Sequence, residues 1–489
     1  MSKGFGSGSS KKKRNVKQIY LANKFSNGEQ YYISKNYSKA ELIFLNLHDS
    51  GYEDPKLCLY LANIYTFYGL DEKAIIFLKK ALESNPKNPN IYYNLGTSYF
   101  KRNEIEISIN YYLQGLSFDS NNAFAYSNLA GCYEEILDYV NAVKYYKKAF
   151  FLNKNLLQTR EKLLKLQPKI CDWSLYQYFD DWRDDFIHDT KFEGSPLSFL
   201  SLKGDPNREL LLSKKYYYSN YESNQKIQLT NNNKKIKVGY VSADFRTHPV
   251  SLLLARVIEL HDKSKFEIYG YSLGGEEDDM TLRLKEAFDK FVCIGDCTDS
   301  ESINLIRKDN INLAIDLMGY TKNARINLFA KRIAPKQISF LGYPSTTGGN
   351  AIDYLIADKN TIAKKFSKFY SEEILYMPNT FLPFDNTINF VDKNISRNDY
   401  GLPEDKFIIA AFHRIEKINP KVLDLWSKVL SELDRAVLWI QEPSSVAKEN
   451  LLYEFNKREI RKDKIYFAKK IKHLSDHLLR HKLADVFVD

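Results

Sequence analysis

The 489-residue sequence is short of cysteine: Cys58, Cys132, Cys171, Cys293 and Cys297 form an odd set without a C-x-x-C pair. That excludes a disulfide framework and a zinc ribbon, and it fits a reducing, cytoplasmic compartment. The close pair Cys293 and Cys297 reads as buried or loop thiols. No stretch approaches the ~18 consecutive apolar residues of a membrane span, so no membrane partner is expected. G-x-G-x-x-G and the P-loop pattern are both missing, so no isolated phosphate loop marks a nucleotide site. Asp-x-Asp and His-Glu-x-x-His are missing too, and no metal is expected.

Acidic residues are absent from the first 14 positions, where Lys3, Lys11, Lys12, Lys13 and Arg14 carry five of the net +10 charges. With its glycines and serines, this segment is too polar for a secretory signal and reads as a flexible basic tail over residues 1–20. Because so much of the excess charge sits there, nucleic acid is not an expected partner. Hydrophobic residues at 44% and charged residues at 27% are ordinary values for a soluble globular chain. The length suits about three domains of ~150 residues.

What the sequence does contain is a period of 34. Leu61, Leu95 and Leu129 are in register, as are Tyr65, Tyr99 and Tyr133. Ala40, Ala74, Ser108 and Ala142 keep one position small, while Ile43, Phe77, Tyr111 and Tyr145 keep another bulky. Asn85, Asp119 and Asn153 close the units. This is the pattern of tetratricopeptide repeats, in which small residues of one helix seat large residues of its neighbour. A superhelix is expected over residues 21–169, with repeats from about 24 to 154 and a charged capping helix near Gln158 to Leu166. The position before the repeated leucine is Tyr60, Asn94 and Asn128. Amides there can donate to and accept from an extended peptide, making Asn94 and Asn128 candidate acceptor-binding residues, although solvated asparagines would look the same.

Residues 170–234 read as connecting helices and a linker. The acids Asp180, Asp181, Asp184 and Asp185 fit a solvated helix face better than a metal or acid/base site. From Lys235, short strand-like runs (IKVGYVS, FEIYGYS, INLAIDLMGY, QISFLGY, DYLIAD) alternate with helical ones, and FIIAAF, AVLWI, KIYFA and ADVFVD form a second series. Alternation of this kind implies parallel sheets. Two Rossmann-like domains are expected, at 235–395 and 396–489.

Ligands of such sheets lie beyond the carboxyl ends of the strands. After the first run comes SADFRTHP, in which Pro249 suits a first helical position and places His248 at a helix N-terminus. The positive helix end opposes imidazolium, leaving a neutral ring suited to general-base work, or to a structural hydrogen bond. A second loop, MGYT, contains Tyr320 as an acceptor-side candidate. A third, LGYPSTTGG, offers Tyr343, Pro344 and Thr346 to a donor, its small residues allowing close backbone approach, or it is simply a connection. In FHRIEKINP, Lys417 precedes a helix begun by Pro420, an arrangement suited to a diphosphate, with Arg414 nearby. Glu416 and Lys417 as an exposed pair is the other reading. His477 and Arg480, three apart on one helical face, could address a common anion.

Taken in order, the repeats, the CDW segment, VGYVSADFRTHPV, LMGYTKNAR, APKQISFLGYP and HLLRHKLADVFVD resemble the O-GlcNAc transferase and SPINDLY family of glycosyltransferases. The absence of a long insertion between the catalytic domains makes the likeness closest to bacterial members. The resemblance implies a GT-B pair of domains and inverting, metal-independent transfer from a nucleotide sugar, typically UDP-N-acetylglucosamine. The acceptors would be Ser or Thr hydroxyls of proteins presented by the repeats, and no cofactor is implied. It implies that His248 is the active-site histidine, that Lys417 holds the diphosphate, and that His477 and Arg480 line the donor pocket.

There are departures. His413 and Arg414 stand where the family commonly has Asn followed by Gln or Asn, and Glu416 stands where an aromatic or small residue is usual. The donor sugar is left open between N-acetylglucosamine and, for example, fucose from GDP-fucose. The chain stops at Asp489, after about four strands where a Rossmann-like half needs roughly six. The expectation is therefore a second domain that is incomplete and a chain that binds UDP poorly. The competing expectation is a peptide-binding scaffold with an inactive or differently specific transferase domain.

Overall fold

A computed structural model describes residues 8–189, 194–200, 204–221, 234–388 and 393–488, with side chains from residue 18 onward. The chain separates into two compact units, Met1–Leu166 and Gln167–Asp489. Residues 1–7 of the basic tail lie outside the described residues. From Gly8 the backbone is already helical, in Gly8–Ile33, as the good helix formers lysine and arginine permit.

In the first unit, helix Gly8–Ile33 pairs with Tyr37–Asp49, Leu57–Phe67 with Asp71–Ser84, Pro89–Lys101 with Ile105–Phe118, and Ala123–Glu135 with Tyr139–Leu152; Leu157–Leu166 follows. The period of 34 has a direct structural meaning. Ala40, Ala74, Ser108 and Ala142 are wholly buried, because nothing larger fits where paired helices cross. The repeated tyrosine of each first helix stacks on the repeated bulky residue of its partner: Tyr65 on Phe77 at 5.6 Å, Tyr99 on Tyr111 at 5.4 Å and Tyr133 on Tyr145 at 5.4 Å. Asn85, Asp119 and Asn153 are C-caps whose backbone N–H groups bond to the carbonyls of Ala81, Gly115 and Ala149. Leu163 and Leu164 of the last helix are wholly buried, so this helix covers the final repeat.

The second unit holds two parallel sheets. The first consists of β1 Ile236–Ser242, β2 Phe266–Ser272, β3 Lys290–Cys293, β4 Leu313–Asp316, β5 Lys336–Ser339, β6 Tyr354–Ala357 and β7 Glu373–Tyr376. Its order is β3-β2-β1-β4-β5-β6-β7. The second consists of β8 Phe407–Ala411, β9 Ala436–Gln441, β10 Ile465–Ala468 and β11 Val486–Phe487, in the order β10-β9-β8-β11. Strands β3 and β7 escaped the sequence reading because each is an edge strand of four residues with exposed or half-buried positions, which blurs the apolar run. In both sheets the order reverses beside the first strand, at β1/β4 and at β8/β11. Each reversal opens a crevice at the carboxyl ends, where ligands of such sheets bind.

The connecting region does more than link. Helix Pro206–Asn220 docks on the loop after β5: a Cβ on Gly348 would meet the backbone of Ser213 at 2.2 Å, and one on Gly349 would meet the Tyr217 ring at 2.3 Å. Tyr217 also donates to Asn350 Oδ1 at 2.9 Å. The run of small residues in LGYPSTTGG thus admits a helix of this chain rather than a ligand. The acids of helix Phe179–His188 are partly ion-paired, Asp184 to Arg208 at 2.6 Å and Asp180 to Arg208 at 3.6 Å. The polar run before β1, residues 222–233, lies outside the described residues.

Candidate functional site

At the β1/β4 crevice the loop after β1 is tightly held. Ser242 Oγ accepts from the Asp244 N–H at 2.9 Å, and Ser251 Oγ donates to the Asp244 carbonyl at 2.5 Å. Asp278, from the loop after β2, accepts from the Thr247 N–H at 2.7 Å. Burial works against the Asp278 charge, but hydrogen bonds from Thr247 and Thr281 hold its carboxyl down to about 2. His248 is the N-cap of helix Pro249–Glu259, as Pro249 foretold. Its Nδ1 lies 3.4 Å from the Val250 nitrogen and 3.5 Å from Asp244 Oδ2. Burial, then the charges of Arg246 and Arg414, lower its pKa, while Asp244 opposes them. A ring with its proton on Nδ1, toward Asp244, leaves the Nε2 lone pair free as a base. A ring accepting from Val250 instead presents Nε2–H as a donor.

Arg414, the last of the groups that lower the His248 pKa, belongs to the segment after β8. The segment after β8 passes through Phe412, His413 and Arg414 into the turn Ile415–Lys417 and on to helix Pro420–Glu432. Lys417 is exposed at the end of that turn. The two charges flanking Ile415 act in different directions: that of Arg414 reaches His248, that of Glu416 the buried Cys171 thiol, whose pKa burial already raises. The first N–H groups of the following helix, which an anion would need, are taken. Pro420 has none, Asn419 Oδ1 accepts from Lys421 and Val422 at 3.0 and 3.1 Å, and the Asn419 carbonyl accepts from Leu423 at 3.0 Å. The cap that an Asn before Pro supplies uses the donors that an anion would need, so any anion site here rests on side chains.

His477 and Arg480 lie against the same strand end, as neighbours rather than as two equal ligands. Arg480 is 1% exposed, with its guanidinium carbon 4.3 Å above the Phe412 ring. It donates to the Lys469 carbonyl at 2.7 Å, to Gln441 Oε1 at 2.9 Å and to His477 Nδ1 at 2.7 Å. It thus turns three of its N–H groups to acceptors of this chain, while its buried Nε lacks a partner; desolvation is tolerable there because those acceptors and the Phe412 face offset it. His477 is half-buried, and burial, then Arg480, then His481, lower its pKa to about 4.

Three further candidates face inward. Thr346 is buried and donates to Glu372 Oε2 at 2.6 Å, while accepting from the Gly348 and Ser371 N–H groups. Tyr343 is 4% exposed, and a Cβ on Gly319 would strike it at 2.3 Å, so that glycine, at φ +54°, makes room for a tyrosine of this chain. Tyr320 is buried between Tyr216 and Tyr343 and donates to the Thr347 carbonyl at 2.5 Å. The Thr346 and Tyr320 hydroxyls, read in the sequence as ligand donors, are engaged within the chain: Thr346 ties the loop after β5 to the segment before β7, and Tyr320 ties the loop after β4 to that after β5. Pro344 is exposed.

In the helical unit, Asn94 donates to Asn63 Oδ1 at 3.0 Å, and Asn63 donates to the Tyr32 hydroxyl at 3.2 Å. Asn128 is exposed and interacts with the Tyr112 hydroxyl. Tyr60 donates to Glu29 at 2.9 Å. The predicted position thus bonds to the preceding first helix at Tyr60 and Asn94, and to the preceding second helix, through Tyr112, at Asn128. Asp244 and Gln441 escaped the sequence reading; Asp244 is four residues before His248, the one available signal, whereas the Gln441 to Arg480 contact is not local. Asp316, at the end of β4, escaped it as well: burial raises its pKa to about 6, although it accepts from the Met318 and Gly319 N–H groups. Among the described residues no cluster of three or more His, Cys, Asp or Glu side chains could hold a metal ion, and no helix is long and apolar enough to cross a membrane.

A sequence profile described as Glycosyl transferase family 41 matches residues 208–393 and 389–489, more than half of the chain. Tetratricopeptide-repeat profiles match 62–103 and 89–122. An Arabidopsis thaliana protein named probable UDP-N-acetylglucosamine--peptide N-acetylglucosaminyltransferase SEC is 31% identical over 52% of this chain and 27% of its own length. A Hordeum vulgare protein named with the same activity and the suffix SPINDLY is 27% identical over 64% of this chain and 32% of its own. The chain thus spans about a third or less of these relatives. A solved Thermobaculum terrenum O-GlcNAc transferase variant shares the fold, with a TM-score of 0.59 and 21% identity over 89% of this chain and 78% of that one.

Proposed function

The chain belongs to glycosyl transferase family 41, and on that premise we propose that it transfers N-acetylglucosamine from UDP-N-acetylglucosamine to Ser or Thr hydroxyls of polypeptides held by its repeats. What supports this reading is the family 41 profile over residues 208–393 and 389–489, together with the two strand-order reversals, with His248 in the loop beyond β1 and Arg414 and Lys417 in the segment beyond β8. A sugar lying between them would have the acceptor hydroxyl on the His248 side and the departing diphosphate on the Arg414 and Lys417 side. As the glycosidic bond to the diphosphate breaks, negative charge grows on the leaving oxygen. Preorganised cations there stabilise the transition state more than the ground state. His248, when its proton faces Asp244, can take the hydroxyl proton as the acceptor oxygen attacks.

Asn94 and Asn128 are the side chains proposed to meet an extended acceptor peptide, and five unpaired cysteines go with a cytoplasmic home. The test is to incubate this chain with UDP-N-acetylglucosamine, and in parallel with GDP-fucose, together with Ser- and Thr-containing peptides. Intact mass should show addition of an N-acetylhexosamine from the UDP sugar alone. Addition of fucose only, or no addition with UDP failing to bind, overturns the reading.

A further inference from the structure

We infer that Arg480 is a positioning residue that fixes His477 as the neutral tautomer with its proton on Nε2, so that His477 offers a bound nucleotide a hydrogen-bond donor without charge. The clause about the nucleotide rests on the function proposed above; the tautomer does not.

The argument is one of donors and acceptors. A guanidinium has five N–H donors and no acceptor. Its Nη2 stands 2.7 Å from His477 Nδ1, so Nδ1 must be the lone-pair nitrogen and the ring proton sits on Nε2. A second proton would set two N–H groups against each other beside a permanent cation. The charged and titratable groups around the ring fit the same state: Arg480 and His481 both disfavour imidazolium, while Asp476 is drawn off to Lys393 at 3.1 Å.

Arg480 can enforce this because it is itself fixed from three directions. Its Nη1 is held by the Lys469 carbonyl at 2.7 Å, beyond β10. Its Nη2 is held by Gln441 Oε1 at 2.9 Å, at the end of β9. Its plane rests on Phe412, beyond β8. Gln441 cannot turn its amide round, because its Nε2 donates to the Ala468 carbonyl at 3.1 Å. Backbone geometry at the ends of β8, β9 and β10 is thereby transmitted through Gln441 and Arg480 to the protonation pattern of one imidazole. The ring also packs 6.0 Å from Phe412 and 4.9 Å from His481, which limits its rotation.

The test begins without ligand. In a long-range ¹H–¹⁵N correlation spectrum of the whole chain labelled with ¹⁵N-histidine, assigned with a His477→Gln variant, His477 should show protonated Nε2 and bare Nδ1, unchanged from pH 6 to 9. A protonated Nδ1, or a doubly protonated ring at pH 7, overturns the inference and leaves the proposed function standing. Gln441→Leu and Arg480→Met should each turn the His477 signals into a tautomer mixture; signals unchanged in both would also overturn it. In calorimetry with UDP, each should weaken binding about tenfold, the scale of one charge-assisted hydrogen bond. His477→Gln, whose amide N–H can reach the Nε2 position, should bind UDP better than His477→Phe; equal binding by the two overturns the donor role of the ring. A wild-type chain that shows the expected tautomer yet binds no UDP overturns the proposed function instead.

Discussion

The two crevices are built on the same plan and use it differently. Each lies where strand order reverses beside the first strand of its sheet, and in each the loop after that strand runs into a helix that begins with proline. At β1 the residue before proline is His248, which caps its helix with an imidazole and stands at the crevice. At β8 it is Asn419, which caps its helix with an amide and leaves Lys417, two residues earlier, as the exposed cation. On the proposed function, the same topology would place an imidazole on one side, a base only when its Nδ1 leaves the cap and carries the proton toward Asp244, and positive charge on the other. The difference would then rest on the side chains at the two helix starts, not on the strands.

The largest effect should come from the charged side. Lys417→Ala should lower kcat by ~10²–10³, the scale seen when one preorganised partner of a developing negative charge is removed. Initial rates at saturating donor would show this, and a wild-type rate would break the contrast between the crevices. Next is pH. The His248 pKa is lowered from its ordinary value of 6.5, so a rate that needs the neutral ring should be level above pH 6.5 and fall only on the acid side of it. The sign for stability agrees: the unfolded chain binds this proton first, so the folded state loses stability as pH falls below 6.5. An acid limb centred above 6.5 would place the controlling group elsewhere. Third, Thr346→Val should cost ~1–3 kcal/mol of stability, because it leaves the buried Glu372 short of a donor, with donor KM unchanged; a raised KM with unchanged melting would return Thr346 to the site.

The repeat architecture was the most legible part of the sequence, because every unit must solve the same packing problem. Ala74, Ser108 and Ala142 are buried for one reason, and Tyr65, Tyr99 and Tyr133 stack in one way. The helix start at Pro249 and the place of His248 were equally legible, since cap chemistry is local. What could not be read were contacts made at a distance. Gly348 and Gly349 looked like a ligand loop until helix Pro206–Asn220 was seen to fill the space, more than 120 residues earlier in the chain. Thr346 and Tyr320 looked like free hydroxyls, because the sequence does not disclose that Glu372 and the Thr347 carbonyl accept from them. Arg480 looked like a ligand because arginine beside histidine suits an anion, and only burial against Phe412 and Gln441 shows that it faces inward.

The smallest expected effect separates the cap from the cation within the second crevice. Asn419 Oδ1 takes the N–H groups of Lys421 and Val422, so Asn419→Ala should cost ~1 kcal/mol of stability, the usual worth of such a cap. The same change exposes two N–H groups at a positive helix end, which attracts anions. If a diphosphate lies over Lys417 within reach of that helix, UDP should bind Asn419→Ala as tightly as wild type or more tightly, even as the melting temperature falls. Weaker UDP binding by a variant that still folds would mean that the amide itself touches the nucleotide. The two crevices would then both use their caps as ligands, and the contrast between them would disappear.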